Sequence, residues 1–241
     1  MNLVIDLGNN FFKLGIFNNS DLIYNFHSKN DSIESEILKI LSEYEFINHV
    51  LISNVSKINI NHLFKNINLK LYNLSSDLSL PFKISYVNQK LLGNDRIALA
   101  AAAVKFYPNS NSLIIDAGTC ITIDVINQNN IFLGGSISPG INMRYKSLKN
   151  QTANLPELEM SDEFNFPGDS TIASIHSGVV GGVCHEIKGI INKINSDYDN
   201  LNIILTGGDA KFLSKTLKIP IFANQFFILH GLNSIINLNK Q

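Results

Sequence analysis

Arginine is almost missing from this chain. Of nineteen basic residues only Arg96 and Arg144 carry a guanidinium. The accompanying excess of Asn and Ile matches codon bias in an AT-rich genome. Lysine cannot copy the planar donor fork of arginine, so those two positions stand out. Cysteine is scarce too: Cys120 and Cys184 lie far apart and form no C-x-x-C, which reads as reduced thiols in a cytoplasm rather than a disulfide framework. The six histidines show no metal-ligand grouping. No apolar stretch approaches the ~20 residues of a membrane span, and the N-terminus runs straight into a strand without the features of a secretory signal. A net charge of −1 argues against a nucleic-acid footprint or a polybasic membrane patch. Neither G-x-x-x-x-G-K-[ST] nor G-x-G-x-x-G occurs, so P-loop and dinucleotide readings have no support.

What is present is a chain of 241 residues, 45% apolar, large enough to bury a real core as one domain or as two lobes. Alternation predicts strands at Leu3–Asp6, Phe12–Phe17, Leu22–His27, His49–Ser53 and Leu69–Leu74, with an amphipathic helix over Ser32–Glu43 and a weaker one over Ile58–Phe64. An Ala-rich helix is expected over Leu91–Phe106. After the polar loop at 107–111 come strands at Ser112–Asp116, Ile121–Ile126 and Ile131–Ser138. Pro139–Gly140 stops the last of these, and an irregular stretch over Asn150–Gly168 precedes a long helix over Ser170–Ile194. A strand at Leu201–Thr206 and helices over Ala210–Leu217 and Phe226–Ile236 complete the pattern. The loop sets the expected division: residues 1–110 and residues 111–241, the closing helix included in the second.

The informative feature is an internal echo. Ile5-Asp6-Leu7-Gly8-Asn9 is matched 110 positions later by Ile115-Asp116-Ala117-Gly118-Thr119. Each follows an apolar strand and precedes an alternating one. A single D-x-G turn is common; two at equivalent places in two βββ units indicate a duplicated architecture. A strand-end carboxylate can hold Mg²⁺ directly or through water, and the glycine lets backbone amides approach an anion. Such turns suit phosphoryl transfer, which needs positioning and charge neutralisation more than covalent help. Lys13 adds a cation nearby, unless it is a solvated strand lysine. Gly207-Gly208-Asp209 is either a phosphate or adenine-side turn or an ordinary strand–helix turn. Gly134-Gly135 and Pro139-Gly140 bracket either a flexible connection or a plain hairpin end. Asp95, beside Arg96 in the first turn of the Ala-rich helix, is either a capping carboxylate or a general base toward an alcohol.

Taken in order, Asp6-Leu7-Gly8-Asn9-Asn10-Phe11-Phe12-Lys13, Gly93-Asn94-Asp95-Arg96, Asp116-Ala117-Gly118-Thr119-Cys120, Gly134 to Gly140 and Leu205 to Ala210 closely resemble the type III pantothenate kinases over the whole chain. The resemblance implies an α/β chain of two ribonuclease-H-like lobes, the actin-like ATPase fold, with the active site in the cleft between them. It implies ATP-dependent phosphorylation of pantothenate to 4′-phosphopantothenate with Mg²⁺ and a monovalent cation, K⁺ or NH₄⁺, in a cytoplasmic homodimer without nucleic-acid or membrane partners. Carried over by position, Asp6, Leu7, Gly8, Asn9, Asn10, Phe11, Phe12 and Lys13 form the first phosphate loop, with Asp6 toward Mg²⁺ through water. Thr119 touches ATP from the second loop, and Asp116 binds the monovalent cation. Tyr86, Gly93, Asn94, Asp95 and Arg96 line the pantothenate site, Asp95 as proton acceptor; the planar fork of Arg96, one of only two arginines, adds the expectation that it pairs with the substrate carboxylate. Thr171 contacts pantothenate across the dimer. Two departures stand out: Asn10 replaces the usual Thr, which bears on ATP affinity, and Cys120 stands where a small residue is usual. The competing expectations are another small-molecule kinase on the same scaffold and a non-catalytic nucleotide-binding regulator. Arg144 has no assigned role.

Overall fold

The computed structural model describes residues 1–218 and 222–240. Its elements in chain order are β1 (Asn2–Leu7), β2 (Phe11–Asn18), β3 (Asp21–Lys29), α1 (Ile33–Glu43), β4 (His49–Asn54), β5 (Lys70–Asn73), β6 (Lys83–Ile84), α2 (Asn94–Phe106), β7 (Ser112–Ala117), β8 (Cys120–Ile126) and β9 (Ile131–Pro139). There follow α3 (Ile141–Gln151), α4 (Thr171–His176), α5 (Gly182–Asp197), β10 (Asn202–Thr206), α6 (Ala210–Leu217), β11 (Phe222–Ala223) and α7 (Phe227–Leu238). They divide into two units: residues 1–109 with 129–132 and 226–241, and residues 110–128 with 133–225.

In the first unit the sheet order is β3-β2-β1-β4-β5, with β1 antiparallel to β2 and parallel to β4. β1 is apolar almost throughout, as expected of a central strand covered on both faces. Leu3, Ile5 and Leu7 face a core that includes Ile33, Ile37 and Ile40 of α1. On α2 every residue from Arg96 to Ala103 is buried, so no single face of that helix is polar. Small side chains let α7 come close: a Cβ on Gly231 would lie 1.8 Å from the Ala98 carbonyl oxygen. The loop at 107–111 predicts α7 as part of residues 111–241. It packs instead in the first unit, where buried Asn233 accepts from Asn2 Nδ2 at 2.6 Å. The reason is its breadth of burial: Phe227, Leu229, Leu232 and Ile236 are all fully covered, which a surface helix does not require.

In the second unit the order is β9-β8-β7-β10-β11, again with an antiparallel neighbour on one side of the central strand and a parallel one on the other. The two arrangements are the same, and β1 and β7 share the same burial pattern, with the aspartate fifth in each. The first residues of β9 belong to the first unit, where Ile131 and Phe132 pair in parallel with Lys83 and Ile84 of β6.

Most expected elements lie within a residue or two of their sequence positions, and the differences have local causes. The Ala-rich helix begins at Asn94, because a short 3₁₀ turn occupies Gln89–Leu91 and Gly93 serves as N-cap. Residues 58–64 form only a 3₁₀ turn at Asn61–Phe64. Between Pro139 and the irregular stretch lies α3, for which the pattern gives no element because only Ile141 and Tyr145 are buried along it. The long helix is interrupted by a π-turn over Ser177–Gly181.

Candidate active site

In the first unit, β1 delivers Asp6 to the strand end and the Gly8 turn follows. Gly8 N–H donates to the Phe11 carbonyl at 3.0 Å and closes the turn. Asp6 pairs in register with Lys13 on β2 and with Ser53 on β4. The Ser53 hydroxyl, fully buried, donates to Asp6 Oδ1 at 3.1 Å. Burial pushes the Asp6 carboxyl up to about 6; the Asp95 charge adds to the rise, while Lys13 and the Ser53 hydroxyl oppose it. Asp6 therefore lies close enough to Lys13 and to Asp95 to feel the charge of each. Leu7 and Phe12 are fully buried, so any contact they make with a phosphate is through backbone. Asn9, Asn10 and Phe11 are exposed at the turn.

Asp95 sits in the first turn of α2, where the helix N-terminus favours an anion. Its Oδ1 accepts from the Arg96 N–H at 2.8 Å. A Cβ at Gly93 would fall 2.5 Å from that same oxygen, so glycine there keeps the Asp95 carboxylate in place. Arg96 is buried, with its guanidinium carbon 5.7 Å from the Tyr86 ring centre and 5.6 Å from that of Phe132. Such ring contacts engage the flat face of the group, whereas its donors run along the edge. A buried planar fork beside a helix-start carboxylate can hold an anionic substrate group while the carboxylate takes a proton from a neighbouring hydroxyl.

In the second unit, β7 delivers Asp116 in the same way, in register with Thr122 and Thr206. Gly118 N–H donates to the Cys120 carbonyl at 3.0 Å, and Thr119 is exposed beside it. Two glycine motifs meet this turn. Gly140 N–H donates to the Thr119 carbonyl at 3.1 Å, and a Cβ on Gly140 would lie 2.2 Å from the Gly118 oxygen. Gly207, at φ +95°, leaves no room for a Cβ, which would meet the Ala117 oxygen at 2.2 Å and Asp116 Oδ1 at 2.6 Å. The Pro139–Gly140 stretch is thus a close support for the second D-x-G turn. Thr171 is exposed at the start of α4 and lines a cavity of about 820 Å³ with Met143, Leu148 and Ile175. Arg144 also borders that cavity, and it is tied down: it pairs with Glu186 at 2.5 Å and donates to the Pro139 carbonyl at 2.8 Å. It fixes the junction between β9 and α3.

No group of three His, Cys, Asp or Glu residues that could cage a metal exists among the described residues. Mg²⁺ carried by nucleotide phosphates needs only one or two carboxylates besides water. Asp6, a carboxyl whose charge burial disfavours, fits that demand. Asp116 Oδ1 and the Ala117 carbonyl oxygen both lie against Gly207, so a cation at Asp116 would have oxygen atoms to meet there. Ser53, Phe132 and Asn30, which contacts the first turn, are not singled out by any motif. Nothing in a lone serine, phenylalanine or asparagine of this composition signals such a role.

The sequence profile of the type III pantothenate kinase family matches residues 2–193. A type III pantothenate kinase of Christiangramia forsetii is 44% identical over 244 residues, covering 100% of this chain and 99% of the relative. A Campylobacter jejuni structure named as a Baf family transcriptional activator superimposes with a TM-score of 0.65 at 27% identity, covering 99% of this chain and 98% of that one. A glucokinase from an Antarctic psychrotroph shares the fold at 11% identity, with a TM-score of 0.53 over 100% of this chain and 99% of its own. No helix among the described residues is long and apolar enough to cross a membrane. With the profile matching most of the chain and a relative matching all of it, this chain belongs to the type III pantothenate kinase family.

Proposed function

We propose that the chain transfers the terminal phosphoryl group of ATP to the primary alcohol of pantothenate, the entry step of coenzyme A synthesis, with Asp95 as the general base. The observation that carries the assignment of roles is the grouping within one unit of Asp6, Lys13 and Asp95 beside the ring-covered Arg96. Asp95 accepts the hydroxyl proton as the alcohol oxygen bonds to phosphorus and the bond to the ADP oxygen breaks. Arg96 pairs with the pantothenate carboxylate, and Tyr86, Gly93 and Asn94 shape the remainder of that pocket. Residues 6–13 and Thr119 contact ATP, the amides of the Gly8 and Gly118 turns facing its phosphate oxygens. Mg²⁺, when bound with the phosphates near Asp6, supplies positive charge against the charge that develops there. A monovalent cation, K⁺ or NH₄⁺, belongs at Asp116. Thr171 reaches pantothenate from the second copy of a homodimer, and the reaction takes place in the cytoplasm.

The test is coupled ADP release by the purified protein with pantothenate, first in Na⁺ and then in K⁺. Pantothenate-dependent turnover, greater in K⁺, is expected. Asp95→Asn should keep the fold and ADP binding yet lose turnover by about 10²–10⁴-fold, the usual contribution of a positioned base. Arg96→Lys should raise KM for pantothenate far more than KM for ATP. No pantothenate-dependent ADP release would leave a nucleotide-binding regulator as the reading, and near-normal turnover of Asp95→Asn would remove that residue from the chemistry.

A further inference from the structure

The first D-x-G turn is held from one side by a single residue that no motif marks. Asn30 follows directly on β3. Its side-chain Nδ2 donates to the Gly8 carbonyl at 2.9 Å and to the Asn9 carbonyl at 3.1 Å. Its backbone N–H donates to the Asn10 carbonyl at 3.1 Å. Three consecutive carbonyls of the turn therefore converge on one side chain and its own amide. The orientation of that side chain is fixed by chemistry, since an oxygen in place of Nδ2 would face two carbonyl oxygens that can only accept. It leaves a cost: Oδ1 of Asn30 is buried without a partner among the described residues, the kind of orphan atom that calls for an explanation.

The geometry of the peptide unit supplies one. In a trans peptide the carbonyl of one residue and the N–H of the next point in opposite directions, and the cis bond found among the described residues is Phe166–Pro167, far along the chain from this turn. Drawing the carbonyls of residues 8, 9 and 10 toward Asn30 thus aims the N–H groups of Asn9, Asn10 and Phe11 away from it. Among the described residues the Asn9 and Asn10 amides donate to no protein acceptor. Successive backbone amides presented on one side of a glycine turn make a concave anion cradle.

We propose that Asn30 is a positioning residue for the phosphoryl donor: it collects the carbonyls of Gly8, Asn9 and Asn10 and so presents the amides of residues 9–11 to nucleotide phosphates. The inference rests on reading residues 6–13 as the phosphate loop. Asn30 touches the loop backbone and acts through it. A side chain that merely stitched β3 to the turn would lower stability without separating the two substrates.

The separating measurement is calorimetric titration of the full-length protein with Mg·ADP, alongside steady-state kinetics in both substrates. Asn30→Asp keeps the size of the side chain and the backbone N–H but sets a carboxylate oxygen against two carbonyls. The expected result is a Kd for ADP and a KM for ATP raised about tenfold or more, as for loss of buried hydrogen bonds to a fixed loop, with KM for pantothenate unchanged within about twofold. Asn30→Ser, which retains one shorter donor, should fall between, and it carries the same criteria if Asn30→Asp does not fold. Lys13→Ala tests the phosphate-loop reading separately. If Lys13→Ala weakens ADP binding and the Asn30 variants do not, the positioning role is overturned and the loop reading stands. If neither weakens it, both are overturned. Equal increases in the two KM values, accompanied by a lower melting temperature, would make Asn30 a structural stitch and overturn the proposal.

Discussion

Asp6 shows what a buried strand-end carboxylate, placed here in the proposed phosphate loop, costs the fold. Its carboxyl is raised from an ordinary 3.8 to about 6, chiefly by burial and then by the Asp95 charge. A carboxyl whose folded value exceeds its unfolded one binds more protons in the folded state between the two. Stability is therefore fully present below about 4 and is lost as pH climbs through about 6, by at most ~3 kcal/mol. Asp6→Asn has no proton to lose. In nucleotide-free buffer with EDTA it should melt above the wild type at pH 7.5, and the gap should close toward pH 4. A gap that does not change with pH would show that burial of this charge is not the cause. The same variant should lose ATP affinity, as expected where a site is held against the preference of its surroundings. At this scale Asp6, Lys13, Asp95 and Arg96 are marked in the sequence by a D-x-G run, a helix start and the family resemblance, and their residue types alone leave a structural and a chemical role open. Ser53 and Asn30 are not marked. They act through hydrogen bonds to residues 47 and 21–22 positions away, and a single sequence records no such pairing.

Elements are legible where periodicity reflects burial. β1 and β7 are apolar runs because both their faces are covered. α3 escapes because it covers little, and α7 falls in the other half of the molecule because loop composition does not reveal which core a helix joins. Its seat is set by Gly231. A Cβ there would meet the Ala98 carbonyl oxygen at 1.8 Å and the Ala102 nitrogen at 2.8 Å, both backbone atoms that cannot rotate aside. Gly231→Ala should force α7 off α2 and cost about 1–3 kcal/mol, the usual range for overpacking, read as a lower urea midpoint. Because Asp95 and Arg96 stand on the first turn of α2, turnover with pantothenate should fall with it. Gly189 is the counterexample. It lies on α5 with nothing within 4 Å of its added Cβ, so Gly189→Ala should instead stabilise by about 0.5–1 kcal/mol through helix propensity. Equal effects of the two substitutions would remove close packing as the reason for Gly231.

Over the whole molecule the duplication seen as two D-x-G runs is a duplicated sheet order, and the copies part at the neighbours of the aspartate. In both, the aspartate is followed by a glycine turn closed by one N–H to carbonyl bond of 3.0 Å, and in both a hydroxyl residue occupies the parallel neighbour, Ser53 or Thr206. Ser53 donates to Asp6, whereas the Thr206 hydroxyl donates to the Asn224 carbonyl at 2.8 Å. The second copy adds what the first lacks, a left-handed glycine against the aspartate: Gly207 brings its turn beside Asp116 and the Ala117 carbonyl. In the function proposed, the same strand end serves phosphate and Mg²⁺ in one unit and a monovalent cation in the other. Asp116→Asn keeps the size and one oxygen but removes the charge. The half-saturating K⁺ concentration for ADP release should rise about ten- to a hundredfold, the loss of one charge-assisted contact, until rates in K⁺ and Na⁺ converge, while Asn30 and Asp6 variants should leave the K⁺ dependence in place. An unchanged half-saturation in Asp116→Asn would move the cation site away from β7 and leave Asp116 as a support for the Gly118 turn.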